Sequence, residues 1–240
     1  MTFTKFQFNN YCYWPSNPKK LIEFIGGSYL ATKPNLTYKR FINNLIQKNY
    51  AIHAYQYIPK FDHQELSINA WKDFKICKKI LFRRLNKEIP TLRIGHSLGC
   101  KLHLISPDGG RNCERFISIS FNNFGANKSI PLLKKVSKNL DFRSEFTPSP
   151  NKTIEIIKNS YIQNNNLLIK FDSDNLDQTE SLLSSLKERI KDNSKGILLK
   201  GNHTIIISAG LREDLFGKWA DDTLKRNTLR KISDLIDNNL

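Results

Sequence analysis

The chain lacks several features that would fix its class at once. No apolar run approaches the ~20 residues needed to span a bilayer, and the first ten residues alternate polar and aromatic side chains without the apolar stretch of a secretory signal. These absences argue against an integral helical membrane protein and lead to the expectation of a cytoplasmic chain. Cysteine is scarce: Cys12, Cys77, Cys100 and Cys113 are the four present, with no C-x-x-C pair among them, so they are expected as reduced core residues and not as a disulfide framework. Cysteines and histidines do not gather at finger-like spacing either, so no metal is expected. Methionine (1) and tryptophan (3) are sparse while lysine and asparagine abound, a bias that an A/T-rich genome produces without selection on function. That bias bears on the net charge of +16, which invites an anionic partner, either nucleic acid or a membrane surface. The basic pairs (Lys19-Lys20, Lys78-Lys79, Arg83-Arg84, Lys134-Lys135) are dispersed rather than concentrated in one arm, and no recognition motif accompanies them. Nucleic acid is therefore not expected, and peripheral contact with membranes stays open.

What is present is a rhythm. Short apolar runs at Leu21–Ile25, Ala51–Ile58, Thr91–Ile94, Arg115–Phe121, Leu167–Phe171 and Ile197–Lys200 alternate with amphipathic stretches near 38–48 and 68–86. That is the pattern of strands and crossover helices in a mainly parallel central sheet with helices on both faces, an α/β fold. A length of 240 residues fits one domain, 1–240. Residues 122–166 break the rhythm with Pro131, Pro148, Pro150 and an Asn164-Asn165-Asn166 run. They are expected to be an insertion lying over the catalytic face as a lid or cap.

The chemistry is carried by Gly95-His96-Ser97-Leu98-Gly99, which follows an apolar strand and precedes a helical pattern. A serine placed on a sharp strand-to-helix turn exposes its hydroxyl, and flanking glycines remove the Cβ atoms that would collide with neighbouring elements. Ser97 is thus the expected nucleophile. A hydroxyl needs a base, and the base needs an orienting carboxylate; in this arrangement the chain order is Ser, acid, His. His203, in Gly201-Asn202-His203, alone of the five histidines lies beyond the acidic turn that follows Phe171. In that turn Asp174 is preferred for its offset from the strand end, with Asp177 and Asp172 as alternatives. The developing oxyanion needs backbone donors: Leu98, the residue after the nucleophile, and the loop Gly26-Gly27-Ser28-Tyr29, where Gly27 and Ser28 are the candidates. His63 is a rival base, and Tyr29, Asp62, His63 and His96 are candidate pocket residues. His53 and His103 read as core histidines.

Together with these, Phe61-Asp62-His63-Gln64, Gly95 to His103, Phe121-Asn122-Asn123-Phe124-Gly125-Ala126, Phe146-Thr147-Pro148-Ser149-Pro150 and Gly201-Asn202-His203 resemble, over nearly the full length, a family of α/β-hydrolase-like proteins found chiefly in cyanobacteria and plastids and of unassigned function. The resemblance implies the α/β-hydrolase fold and the general placement of Ser97 and His203, and it makes a cytosolic setting in a phototroph plausible. It carries no substrate. The residues themselves imply a serine hydrolase acting on an ester, thioester or related acyl compound, small or lipid-like, through an acyl-enzyme with no cofactor. The alternative is a non-catalytic binding or assembly protein that uses its basic surface against an anionic membrane or a partner.

Overall fold

The computed structural model describes residues 2–126, 145–208 and 223–238. Phe8 and Asn9 both hold positive φ, 46° and 52°, the conformation a tight two-residue hairpin turn requires. They join β1 (Thr2–Gln7) to β2 (Asn10–Pro15), which pair antiparallel. The sequence reading did not assign this hairpin, because its alternation of polar and aromatic residues carries no apolar run. β2 then pairs antiparallel with β4 (Tyr50–Tyr55). The remaining strands, β3 (Lys20–Ile25), β5 (Thr91–His96), β6 (Arg115–Ile119), β7 (Asn166–Phe171) and β8 (Lys195–Leu199), run parallel with β4. The eight-stranded order is β1-β2-β4-β3-β5-β6-β7-β8.

The central strands β4 and β5 are buried at every residue, as expected where helices cover both faces of a parallel sheet. One face is covered by α2 (Lys39–Gln47), which follows the short α1 (Pro34–Thr37), and by α7 (Thr223–Asn238). Phe41, Ile42 and Leu45 of α2 and Leu229, Ile232 and Ile236 of α7 meet Phe24, Ile52, Ile94, Ile117 and Ile169 of the sheet. The other face carries α3 (His63–Leu85), α4 (Leu98–Leu104), α5 (Pro150–Ser160) and α6 (Thr179–Lys187). Helix α3 begins five residues before its amphipathic repeat suggests, because the Asp62 side chain accepts from the Glu65 N–H at 2.8 Å and caps the first turn. The strand expected to reach Ile58 ends at Tyr55, and the one expected to reach Phe121 ends at Ile119.

The segment 122–166 divides. Residues 127–144 lie outside the described residues. Residues 150–160 form α5, whose Ile157 is buried against Cys100, Leu104, Phe116 and Leu168, so this part flanks the sheet as a crossover helix. Asn122, Asn123, Phe124 and Phe146 line a cavity at the C-terminal ends of the strands. All four cysteines are free and buried. Among the described residues, no helix is long and apolar enough to cross a membrane.

Candidate active site

The junction of β5 and α4 places Ser97 at φ 54°, ψ −121°, a conformation a non-glycine residue adopts at a cost of roughly 1–3 kcal/mol. The surroundings enforce it. The Ser97 N–H continues the β5–β6 ladder by donating to the Ile119 carbonyl at 3.0 Å, and α4 starts at the next residue. The two glycines of the motif are needed for close approach rather than for unusual dihedrals. A Cβ on Gly95 would lie 2.6 Å from the Cys100 backbone, and one on Gly99 would lie 2.0 Å from the Ile25 carbonyl oxygen.

His203, from the loop after β8, and Asp174, from the turn after β7, both reach this junction. His203 Nε2 lies 3.0 Å from Ser97 Oγ, and its Nδ1 lies 2.8 Å from Asp174 Oδ2. A carboxylate only accepts, so Nδ1 carries the imidazole proton and Nε2 is free to accept from the serine hydroxyl. The Asp174 side chain is fully enclosed, and its second oxygen accepts from the Leu176 N–H at 2.9 Å. The two other carboxylates of the turn are engaged elsewhere. Asp172 Oδ1 accepts from the Gly201 N–H and the Ser173 hydroxyl, and Asp177 binds the N–H and hydroxyl of Thr179 at the start of α6.

The residues expected to donate to an oxyanion separate. The Gly27 N–H is taken, because it donates to the Tyr38 hydroxyl at 2.8 Å. Ser28 opens a 3-10 turn (Ser28–Thr32) and Leu98 opens α4, so their N–H groups have no acceptor within their own helices. Both line the cavity with Ser97 and His203. The Gly26-Gly27 loop is fixed from two sides, since the Tyr57 hydroxyl also donates to the Gly26 carbonyl at 3.0 Å.

His96, the variable residue of the elbow, is fully buried beneath the site and does not line the cavity. Its Nε2 lies 3.0 Å from the His203 carbonyl, and its Nδ1 lies 2.9 Å from the Tyr38 hydroxyl. A carbonyl only accepts, so Nε2 holds the proton and Nδ1 accepts from Tyr38. Burial, then the neighbouring His203, lowers the His96 pKa to about 3, and burial raises that of Tyr38. Both groups are therefore neutral at physiological pH. A single directed chain results: Gly27 N–H to Tyr38 oxygen, Tyr38 O–H to His96, and His96 N–H to the backbone of His203. It ties the donor loop to the loop that carries the imidazole.

The cavity itself measures about 320 Å³ and is lined by Tyr29, Phe61, His63, Lys101, Asn123, Phe146 and Leu176 among others. Tyr29 and His63, two of the candidate pocket residues, are among them. Asp62 does not line it and serves as the cap of α3. His63 is 3% exposed and stacks on Phe146 with ring centroids 4.3 Å apart. Burial, helped by Lys101, brings its pKa down to about 3. It makes no hydrogen bond to Ser97. His53 accepts from Trp14 at 2.9 Å inside the sheet, and His103 stacks against Phe74. Among the described residues, no group of three His, Cys, Asp or Glu side chains is arranged to hold a metal ion.

The sequence reading missed Tyr38, Lys101, Asn123 and Phe146. Lys101 alone left a signal, as a lysine inside the mostly apolar run from Leu98 to Leu104.

Residues 6–226 match a family described as a protein of unknown function, DUF1350. No curated protein matches the chain. Solved structures with a similar fold include a monoacylglycerol lipase from Paleococcus ferrophilus, at TM-score 0.60 and 13% identity over 96% of this chain and 99% of that one. Carboxyl esterase 2 from the fungus Tuber melanosporum aligns at TM-score 0.60 and 15% identity over 94% and 81%. A thioesterase domain from the curacin biosynthetic pathway aligns at TM-score 0.53 and 14% identity over 88% and 96%. The fold is that of the α/β-hydrolases.

Proposed function

Because the chain belongs to DUF1350, a family described as of unknown function, we propose its activity from the geometry: a serine hydrolase that cleaves an ester or thioester through an acyl-enzyme on Ser97. The observation that carries this reading is the unbroken line Ser97 Oγ, His203 Nε2, His203 Nδ1, Asp174 Oδ2, with spacings of 3.0 and 2.8 Å. Lines of this kind convert an inert hydroxyl into a nucleophile.

In this reading, the Ser97 oxygen attacks the acyl carbonyl carbon as His203 Nε2 takes the hydroxyl proton. The negative charge that develops on the carbonyl oxygen meets the N–H groups of Leu98 and Ser28; one such donor contributes about 3–4 kcal/mol to the transition state. As the carbonyl re-forms, the bond to the leaving alcohol or thiol breaks and His203 returns its proton to that group. Water, deprotonated by the same nitrogen, then attacks the acyl carbon, and the acid departs with Ser97 reprotonated. Asp174 accepts from His203 Nδ1 throughout and so holds the imidazole in the tautomer that accepts at Nε2. The exposed apolar residues at the cavity mouth, Tyr29, Phe61 and Leu176, favour an acyl chain with apolar character, and in this reading the 122–126 and 145–149 segments cover it.

The test is labelling of Ser97 with a fluorophosphonate probe, followed by hydrolysis of p-nitrophenyl acyl esters. Intact protein should label and turn over, and Ser97→Ala should lose labelling and at least about 10⁴-fold in kcat. Equal labelling of the two proteins would remove the reading.

A further inference from the structure

The cavity beside Ser97 contains polar groups that the hydrolytic steps do not use. Lys101 lies one helical turn beyond Ser97 on α4, lines the cavity and is 1% exposed. Its ammonium donates to the Pro148 carbonyl at 2.9 Å and lies 5.9 Å from the Phe146 ring centroid. Among the described residues no carboxylate stands within ion-pair distance of it. Glu145, whose charge does act on Lys101, uses Oε1 to accept from the N–H groups of Ala126 and Phe146. An ammonium has three donors, so a buried one with a single acceptor leaves two unmatched, and a buried charge without a partner is costly. Burial lowers the Lys101 pKa to about 8, with Glu145 opposing the shift.

Two further lining groups are buried and unpartnered: His63 Nδ1, 3% exposed as a residue, and Asn123 Oδ1, 6% exposed. The His63 ring stacks on the same Phe146 that Lys101 approaches. Asn123 is held by its other atoms, since its side-chain amide donates to the Pro150 carbonyl and its backbone N–H donates to Gln178. Its spare atom is an acceptor oxygen. These three residues come from α4, the start of α3 and the loop after β6, yet they meet in one cavity.

Resting on the acyl-enzyme reading above, we propose that this cavity selects acyl groups that carry a carboxylate, which Lys101 binds as its missing counter-ion. The neutral His63 presents an N–H to the same anion in one of its tautomers, and Asn123 accepts from a hydroxyl or from the water that accompanies the carboxylate. One positive charge with two neutral partners suits a singly charged group, whereas a phosphate dianion would leave excess charge among buried side chains. The apolar rim would then hold the chain, and the buried cation its distal end.

The experiment compares p-nitrophenyl hydrogen adipate with p-nitrophenyl hexanoate, which have equal chain length and differ by one carboxylate. The wild-type protein should favour the carboxylated ester in kcat/KM, and the ratio should fall about tenfold or more in Lys101→Gln, the loss expected for a hydrogen bond to a charged group. A wild-type preference for hexanoate, or equal losses on both esters in Lys101→Gln, would overturn the proposal and leave Lys101 as a tether for the Pro148 loop. The wild-type ratio needs no variant, so a failure of Lys101→Gln to fold leaves the proposal open to refutation. Binding of monomethyl adipate and methyl hexanoate to Ser97→Ala, followed by calorimetry, separates the two readings. If neither ester is cleaved but monomethyl adipate binds in preference, the hydrolase reading fails and the carboxylate site stands. If cleavage occurs but no preference appears, only the carboxylate site fails.

Discussion

Acidification should destabilise this fold well before its carboxylates are protonated. His53, His63 and His96 are buried, and burial lowers each pKa from 6.5 to about 3; Lys78, Lys101 and His203 respectively add to the shift. Burial drives His103 in the same direction. Between these folded values and 6.5 the unfolded chain binds protons that the folded chain refuses, so stability rises with pH across that window and is lost as pH falls through it. At pH 5.5 each unfolded imidazole gains RT ln(1 + 10), about 1.4 kcal/mol. The folded protein gains almost nothing, a result that requires only that the folded values lie a unit or more below 5.5. Three groups then remove about 4 kcal/mol, and His103 adds to that, against a total of about 5–15 kcal/mol for a typical domain. Urea unfolding at constant ionic strength from pH 8 to 5 measures the effect. The unfolding free energy should fall as pH drops below about 7, with a slope of about 4 kcal/mol per pH unit or more near pH 5. His63→Gln should reduce that slope by about 1.4 kcal/mol per unit. A free energy that stays flat between pH 7 and 5 would refute the assignment of these rings as buried and neutral.

Asp174→Asn should lose about 10³–10⁴-fold in kcat on an activated ester while the fold survives. The Leu176 N–H, 2.9 Å from Oδ1, holds an oxygen at that position, so the new amide nitrogen faces His203 Nδ1, forces the proton to Nε2 and removes the acceptor that Ser97 needs; retained turnover would mean that another carboxylate acts. Gly99→Ala should lower the melting temperature by roughly 6–12 °C, the equivalent of about 3 kcal/mol of overpacking, because its Cβ meets backbone atoms of Ile25 and Gly26 at 2.0–2.8 Å; an unchanged melt would count against the packing described at the elbow. Tyr38→Phe leaves the Gly27 N–H and His96 Nδ1 without partners, at about 1–3 kcal/mol each, and should lower kcat more than it raises KM in ester kinetics.

The parallel sheet was legible because its strands are apolar runs bounded by turns, and the elbow because glycine is enforced there by backbone contacts that any serine-bearing turn of this type must make. His203 was read from chain order and Asp174 from its offset beyond the strand end, with Asp177 and Asp172 left as alternatives; the structure places His203 between Asp174 and Ser97. The N-terminal hairpin was not, because one of its strands lies at the sheet edge with half or more of its residues exposed, so selection for burial leaves little mark on it. Gly27 was expected as a donor on the strength of its loop, and Tyr38 takes its N–H. Nothing in the sequence around Tyr38 announces that, since the ring reaches Gly27 and His96 only after α2 has packed on the sheet.

The residues that escaped sequence reasoning share one property: each acts across elements distant in the chain. A motif records constraints that neighbours in sequence impose on one another, such as the spacing of glycines around a strained serine. The chain from Gly27 through Tyr38 and His96 to His203 spans residues 27 to 203, and its members are chosen by hydrogen-bond direction rather than by spacing. Each link has one permitted sense, because the His203 carbonyl can only accept and the Gly27 N–H can only donate. A substitution that reverses any link must therefore orphan a buried group at one end or the other. It follows that the donor loop and the imidazole loop cannot shift independently, and that the position between glycine and serine in the elbow, free in the general motif, is constrained here to a side chain that accepts on one edge and donates on the other.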